Sequence, residues 1–127
     1  MKRLWSAFAC LVIALSLCAF EMIYTTSAAD GLEKIVLQAR REFKSGSGGS
    51  DKAVKTLERA EKFWDERESV MNMFLYHDSI EMVGVELECA KSLAMSDNYE
   101  ADVSMLEVLG LIKSIREDEQ PAVDNIL

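Results

Sequence analysis

The sequence predicts an all-α protein: an N-terminal signal or anchor helix followed by a small antiparallel bundle of three to four helices. Three observations carry that prediction. Proline occurs once in 127 residues, at Pro121, and glycine is sparse outside Gly46, Gly48 and Gly49, so little interrupts long helices. Apolar residues recur at three-and-four spacing through three successive segments. The chain opens with Lys2 and Arg3, an uncharged run from Leu4 to Phe20, and a stretch of small residues from Thr25 to Ala29.

That opening has the three parts of a secretory signal: a basic start, an apolar middle and a small-x-small cleavage site. Ser27 and Ala29 suit a cut before Asp30, and Thr26 and Ala28 suit one a residue earlier. The same segment also suits an uncleaved anchor. At about 1.5 Å per residue the run from Leu4 to Phe20 is roughly 26 Å long, slightly short of a hydrocarbon core of about 30 Å. Met22, Ile23 and Tyr24 supply the missing turn, while Trp5 and Tyr24 stand at opposite ends as an aromatic belt requires. The positive-inside rule holds Lys2 and Arg3 in the cytoplasm, so the remainder lies outside in both cases. Two localisations are open: a single-pass cell-membrane protein, or a protein secreted after cleavage near Ala28 or Ala29. Lipoprotein processing at Cys18 is disfavoured, because the bulky Leu17 stands where a small residue is needed.

Beyond Asp30 the spacing predicts helices over Gly31 to Lys44, Lys52 to Tyr76, Ser79 to Met95 and Asn98 to Glu117. Asp30 with Glu33, Asp78 with Glu81 and Asp97 with Glu100 have capping-box spacing, and Ser50 or Asp51 starts the remaining helix. The run Ser45 to Ser50 reads as a flexible linker by composition. Three units follow: residues 1–29 as signal or anchor, 30–50 as a stalk helix with a Gly/Ser linker, and 51–127 as the bundle. Val54, Leu57, Trp64, Met71, Phe74 and Leu75 form one stripe, widened by Ala53, Ala60, Phe63 and Val70. Ile80, Val83, Leu87 and Ala90 form a second stripe, and Met105, Val108, Leu109, Ile112 and Ile115 a third. Short connections near His77 and Ser96 make these helices run up, down and up. No second copy of a helical hairpin supports a solenoid.

Charge is lopsided. With Lys2, Arg3 and Glu21 set aside from the 14 basic and 22 acidic residues, 12 and 21 remain, a balance that repels nucleic acid. Asp30 to Arg67 carries 9 basic and 8 acidic residues, whereas Glu68 to Leu127 carries 3 and 13, most simply a solvated acidic face. Cys89 is alone in the domain, which precludes an internal disulfide, and its helical setting suggests a buried, inert thiol.

No catalytic set is apparent. His77, the sole histidine, leaves no His-based metal cluster or triad, and its place at the end of the second predicted helix suggests a turn residue favoured by the helix dipole. Glu86 with Glu88, and Glu100 with Asp102, are two apart and so point to different helix faces. The Glu117-Asp118-Glu119 run reads as a solvated helix end. Met71, Met73, Met82, Met95 and Met105 are core fillers before they are an adaptable groove, and Trp64 is a core anchor. Neither metal nor cofactor is expected.

From Trp64 onward the order of features resembles a family of small Gram-positive bacterial proteins, the domain of unknown function 4363. The carrying residues are Trp64, then Phe74, His77 and Ile80 within FLYHDSI, Glu81, Val83 and Leu87, the helix with Leu106, Leu109, Ile112 and Ile115, and the ending Asn125-Ile126-Leu127. The start MKRLW is also similar. The resemblance implies a membrane segment carrying an outer helical domain and brings no activity; the Gly/Ser run and Ser27-Ala28-Ala29 depart from the pattern. The expected function is a non-enzymatic, extracytoplasmic interaction module. Its partners would be membrane lipid through residues 4–24 and another membrane or envelope protein, with no nucleic acid. Trp64, Phe74, His77, Glu81 and Asn125 are its candidate interaction or structural residues. The alternative is a sensor domain binding a small ligand between the last three helices near Tyr76, His77 and Tyr99.

Overall fold

A computed structural model describes residues 1–75 and 77–119, with side chains through Glu117. Four helices account for almost all of it: α1 (Lys2–Lys44), α2 (Gly49–Met71), α3 (His77–Met95) and α4 (Glu100–Glu119). No strand occurs among the described residues. Each helix packs on the next, and α1 also packs on α4. The result is a closed antiparallel four-helix bundle. Its proximal end is the one from which the N-terminal half of α1 departs, near Tyr24, and its distal end lies at Lys44.

The largest departure from expectation concerns α1. No helix starts at Asp30; one unbroken helix runs through the capping-box pair and the small-residue stretch. Residues 30–44 are no stalk either. Thr25, Ala28, Ala29, Leu32, Val36 and Ala39 are buried, a stripe at three-and-four spacing that makes α1 a wall of the core. The packed unit therefore begins before the boundary expected at residue 51. Three of these residues are small, which lets α1 approach its neighbours closely. Gly31 shows how closely: a Cβ there would stand 2.4 Å from the ring of Phe63 on α2.

The expected linker is a tight helical hairpin. Ser45 closes α1 through its backbone N–H and its hydroxyl, both donating to the Glu42 carbonyl at 3.1 and 2.7 Å. Gly46 and Gly48 take positive φ of 92° and 79°, which L side chains rarely adopt, and α2 begins at Gly49. Gly49 is buried so tightly that a Cβ would stand 2.2 Å from the Glu42 carbonyl oxygen. Glycine here serves a fixed turn and not freedom of motion.

Of the expected stripes, Leu57, Trp64 and Met71 are buried on α2, Ile80, Val83, Leu87 and Ala90 on α3, and Met105, Val108, Ile112 and Ile115 on α4. Val54, Phe63, Leu75 and Leu109 pack at its margin. Fully burying each large apolar side chain is worth about 1.5–3 kcal/mol, which makes this interior the main source of stability. α2 stops at Met71, five residues before the expected Tyr76, which lies outside the described residues. At the distal α3–α4 turn Asp97 has a φ of 53°, and the Asn98 side chain accepts from the Glu100 N–H at 3.0 Å. The capping signal thus marks the right turn, while the neighbouring asparagine performs the cap.

Candidate functional site

Trp64 is 1% exposed, and its indole N–H donates to the Ile80 carbonyl at 3.1 Å. This pins α2 to the first turn of α3 and satisfies the one polar atom of the ring. Phe74 is half-buried in the α2–α3 turn, its ring 6.3 Å from that of Phe20 and tilted at 67°. Phe20 also lies 5.7 Å from Tyr24, so three aromatic rings meet where the apolar half of α1 leaves the bundle.

His77 is not at a helix C-terminus. It is the first residue of α3, where the dipole presents its positive end, so the favourable interaction expected for an imidazolium is absent. Its contact is Glu81, with Nε2 3.6 Å from a carboxylate oxygen across one exposed turn. Tyr99 is 78% exposed at the distal end, which separates it from His77 by the length of the bundle. His77 and Tyr99 therefore do not converge on one pocket. Asn125 lies outside the described residues, as does Tyr76.

Cys89 is exposed, contrary to the expectation of a buried thiol. Helical spacing places it with Met82 and Val85 on the outward side of α3. Val103 and Leu106 occupy the outward side of the adjoining α4. These four apolar side chains are 46–57% exposed and sit on helices that pack together. The expectation that Met82 fills the core does not hold, and Val85 and Val103 stand beside it on the outward sides; their phase opposite the buried stripe is the sequence signal that marks them.

Ion pairs join the helices outside the core. Arg40 meets Asp102 at 2.7 Å with Lys44 3.6 Å away, tying α1 to α4. The Arg40 hydrogen bond, opposed by partial burial and reinforced by the Arg40 and Lys44 charges, holds the Asp102 carboxyl below the usual range. Arg116 reaches Asp30 at 2.8 Å and Glu33 at 2.6 Å, which gives the would-be capping pair a tertiary role. Lys91 bonds Glu61 at 2.8 Å across α3 and α2. Thr56 donates to the Glu42 carboxylate, and Gln38 donates to it at 2.8 Å; burial works against the charged Glu42, but these bonds and nearby cations bring its carboxyl below the usual range. Glu86 has the opposite character: partial burial and the facing Glu107 push its carboxyl up. Among the described residues no three His, Cys, Asp or Glu side chains converge as metal ligands.

The N-terminal part of α1 contains an 18-residue window of mean hydropathy 2.2, none of it buried, long and apolar enough to cross a membrane. Beside its junction with the bundle, an open groove of about 640 Å3 runs between α1 and α2. Ser27 and Lys34 border it, with Arg67 stacked 3.6 Å over the Phe63 ring.

The model of a family described as a domain of unknown function, DUF4363, matches residues 19–126, and the chain belongs to that family. No curated protein and no solved structure matches it.

Proposed function

We propose that this member of the DUF4363 family is a non-enzymatic, single-pass membrane protein whose bundle stands outside the cytoplasm and binds another membrane or envelope protein. The observation that carries the reading is the continuity of α1: its first half is apolar and uncovered, and its second half is a wall of the core. A cut before Asp30 would strip Thr25, Ala28 and Ala29 from a packed interior, which favours an uncleaved anchor over a signal peptide. Met82 and Val85 on α3 and Val103 and Leu106 on α4 are half-exposed apolar side chains on the outward sides of two adjoining helices, and they supply contacts for a protein partner.

The test is expression of the full chain in a bacterial host, followed by fractionation, intact mass and labelling of whole cells with a membrane-impermeant maleimide. A full-length membrane product labelled at the exposed Cys89 is the expected result. A product in the medium beginning at Ala29 or Asp30 overturns the anchor. Photo-crosslinkers at Val85 and Leu106 should then trap a membrane or envelope protein that one at Lys62 does not; equal trapping overturns the assigned face.

A small-ligand sensor is the second reading. What favours it is the groove between α1 and α2, where Lys34 and Arg67 offer cations beside the Phe63 ring. Loss of ligand-induced thermal stabilisation in Arg67→Ala would support it.

A further inference from the structure

The three inter-helix turns differ in chemistry. The distal turns differ from the proximal one in polar content: Ser45 to Gly48 joins α1 to α2 without an apolar side chain, and Ser96 to Tyr99 sets the exposed Tyr99 beside Asp97 and Asn98. The described part of the proximal turn reads Asn72-Met73-Phe74-Leu75, and in the sequence no charge occurs between Glu68 and His77. Met73 is 76% exposed, comparable to Tyr99 and Met95 at the distal end, but unlike them it has no charged residue within the neighbouring three positions. A turn facing water at both flanks ordinarily carries the residues found at the distal end.

Its position explains the difference. Phe20 ends the uncharged run of α1, and Phe74 touches it edge-on. Because α1 is one helix, the depth of its apolar half fixes the height of the bundle, and the Phe20–Phe74 contact places the turn level with the end of the apolar run. We propose that the α2–α3 turn is a second membrane contact: Met73, with Phe74 and Leu75 behind it, lies in the boundary between headgroups and acyl chains and seats the bundle on the bilayer. The occupant is lipid, because the turn continues the surface of α1 that lipid surrounds. This rests on the anchored reading above. Interfacial segments of this kind bury their apolar side chains about 5–10 Å into that boundary, a depth an exposed methionine at the tip of a turn can reach.

The test uses the full chain in vesicles of phosphatidylcholine and phosphatidylglycerol, with a polarity-sensitive fluorophore on single cysteines. Cys18 reports the span, Met73→Cys the proximal turn and Ser47→Cys the distal turn, each with the remaining native cysteines changed to serine. Lipid carrying a nitroxide near the headgroup should quench Met73→Cys about threefold or more above Ser47→Cys, as an interfacial position requires. Quenching at Cys18 with Met73→Cys no different from Ser47→Cys overturns the second contact and leaves the anchor standing. No quenching at Cys18 removes both. Blue-shifted but unquenched emission at Met73→Cys means that protein covers the turn, which also overturns the proposal.

Discussion

The two halves of α1 share one backbone and differ in everything outside it. From Lys2 to Ile23 apolar side chains point in all directions, and Leu4, Phe8, Leu11, Ile13, Leu15 and Phe20 are each at least half exposed. From Tyr24 onward a single stripe is buried while Lys34, Arg41 and Lys44 face outward. A helix apolar all round calls for an apolar solvent; a helix apolar on one side calls for neighbours. The contrast teaches that the change of environment along α1 requires no break in the helix, because the hydrogen bonds of its backbone are internal to either half.

Matched substitutions should break this comparison most sharply. Leu32→Ala, in the buried half, is expected to destabilise the bundle by about 2–5 kcal/mol, whereas Leu11→Ala should stay within about 0.5 kcal/mol, both read from denaturant unfolding in detergent. A comparable loss at both positions would mean that the first half also packs on the bundle. Next comes the boundary itself. A chain beginning at Asp30 should be about 2–3 kcal/mol less stable than one beginning at Phe20, since it lacks the buried Thr25, Ala28 and Ala29 and the Phe20–Phe74 contact. Equal melting temperatures would make cleavage harmless to the fold.

Smaller effects separate the buried half from its ion pairs. Asp102→Asn should cost about 1 kcal/mol at neutral pH, because it removes the partner of Arg40 at a site only partly open to water. The Asp102 pKa is depressed in the folded state, so its stabilisation is present above the unfolded carboxylate pKa and fades as pH falls through the folded one. Variant and parent should therefore converge in acid. Glu86 carries the opposite sign: its folded pKa is raised, so the stabilising contribution belongs to low pH and is lost as pH rises through that value. Glu86→Gln is expected to gain a few tenths of a kcal/mol at neutral pH, a difference that closes on acidification. A gain independent of pH would point to something other than the Glu107 repulsion.

The buried stripes of α2, α3 and α4 were legible because each repeats large apolar residues at helical spacing, with Leu57, Trp64, Val83, Leu87, Val108 and Ile112 as the clearest members. The stripe of α1 was not. Thr25, Ala28 and Ala29 have the residue types of a cleavage site, and the apolar run before them drowns the periodicity. Asp30 and Glu33 have cap spacing but serve Arg116, more than eighty positions away, which no local pattern announces. Glycine and serine describe a loose linker and a tight hairpin equally well; only the positive φ of Gly46 and Gly48 and the crowding at Gly49 separate the two. The end of α2 was misplaced because the stretch after Met71 has neither glycine nor proline, and the contact that gives Phe74 its place comes from Phe20, far away in sequence.

The uninterrupted α1 also makes the molecule a lever. Its bundle half is about 30 Å long, so an anchor tilted by about 20° carries the distal turns sideways by roughly 10 Å. No hinge stands between the apolar half of α1 and the bundle to absorb the angle. Under the proposed anchoring, a change in bilayer thickness or a pull on the span becomes a displacement of Ser47 and Tyr99, and a partner gripping that far end would feel the state of the membrane through it.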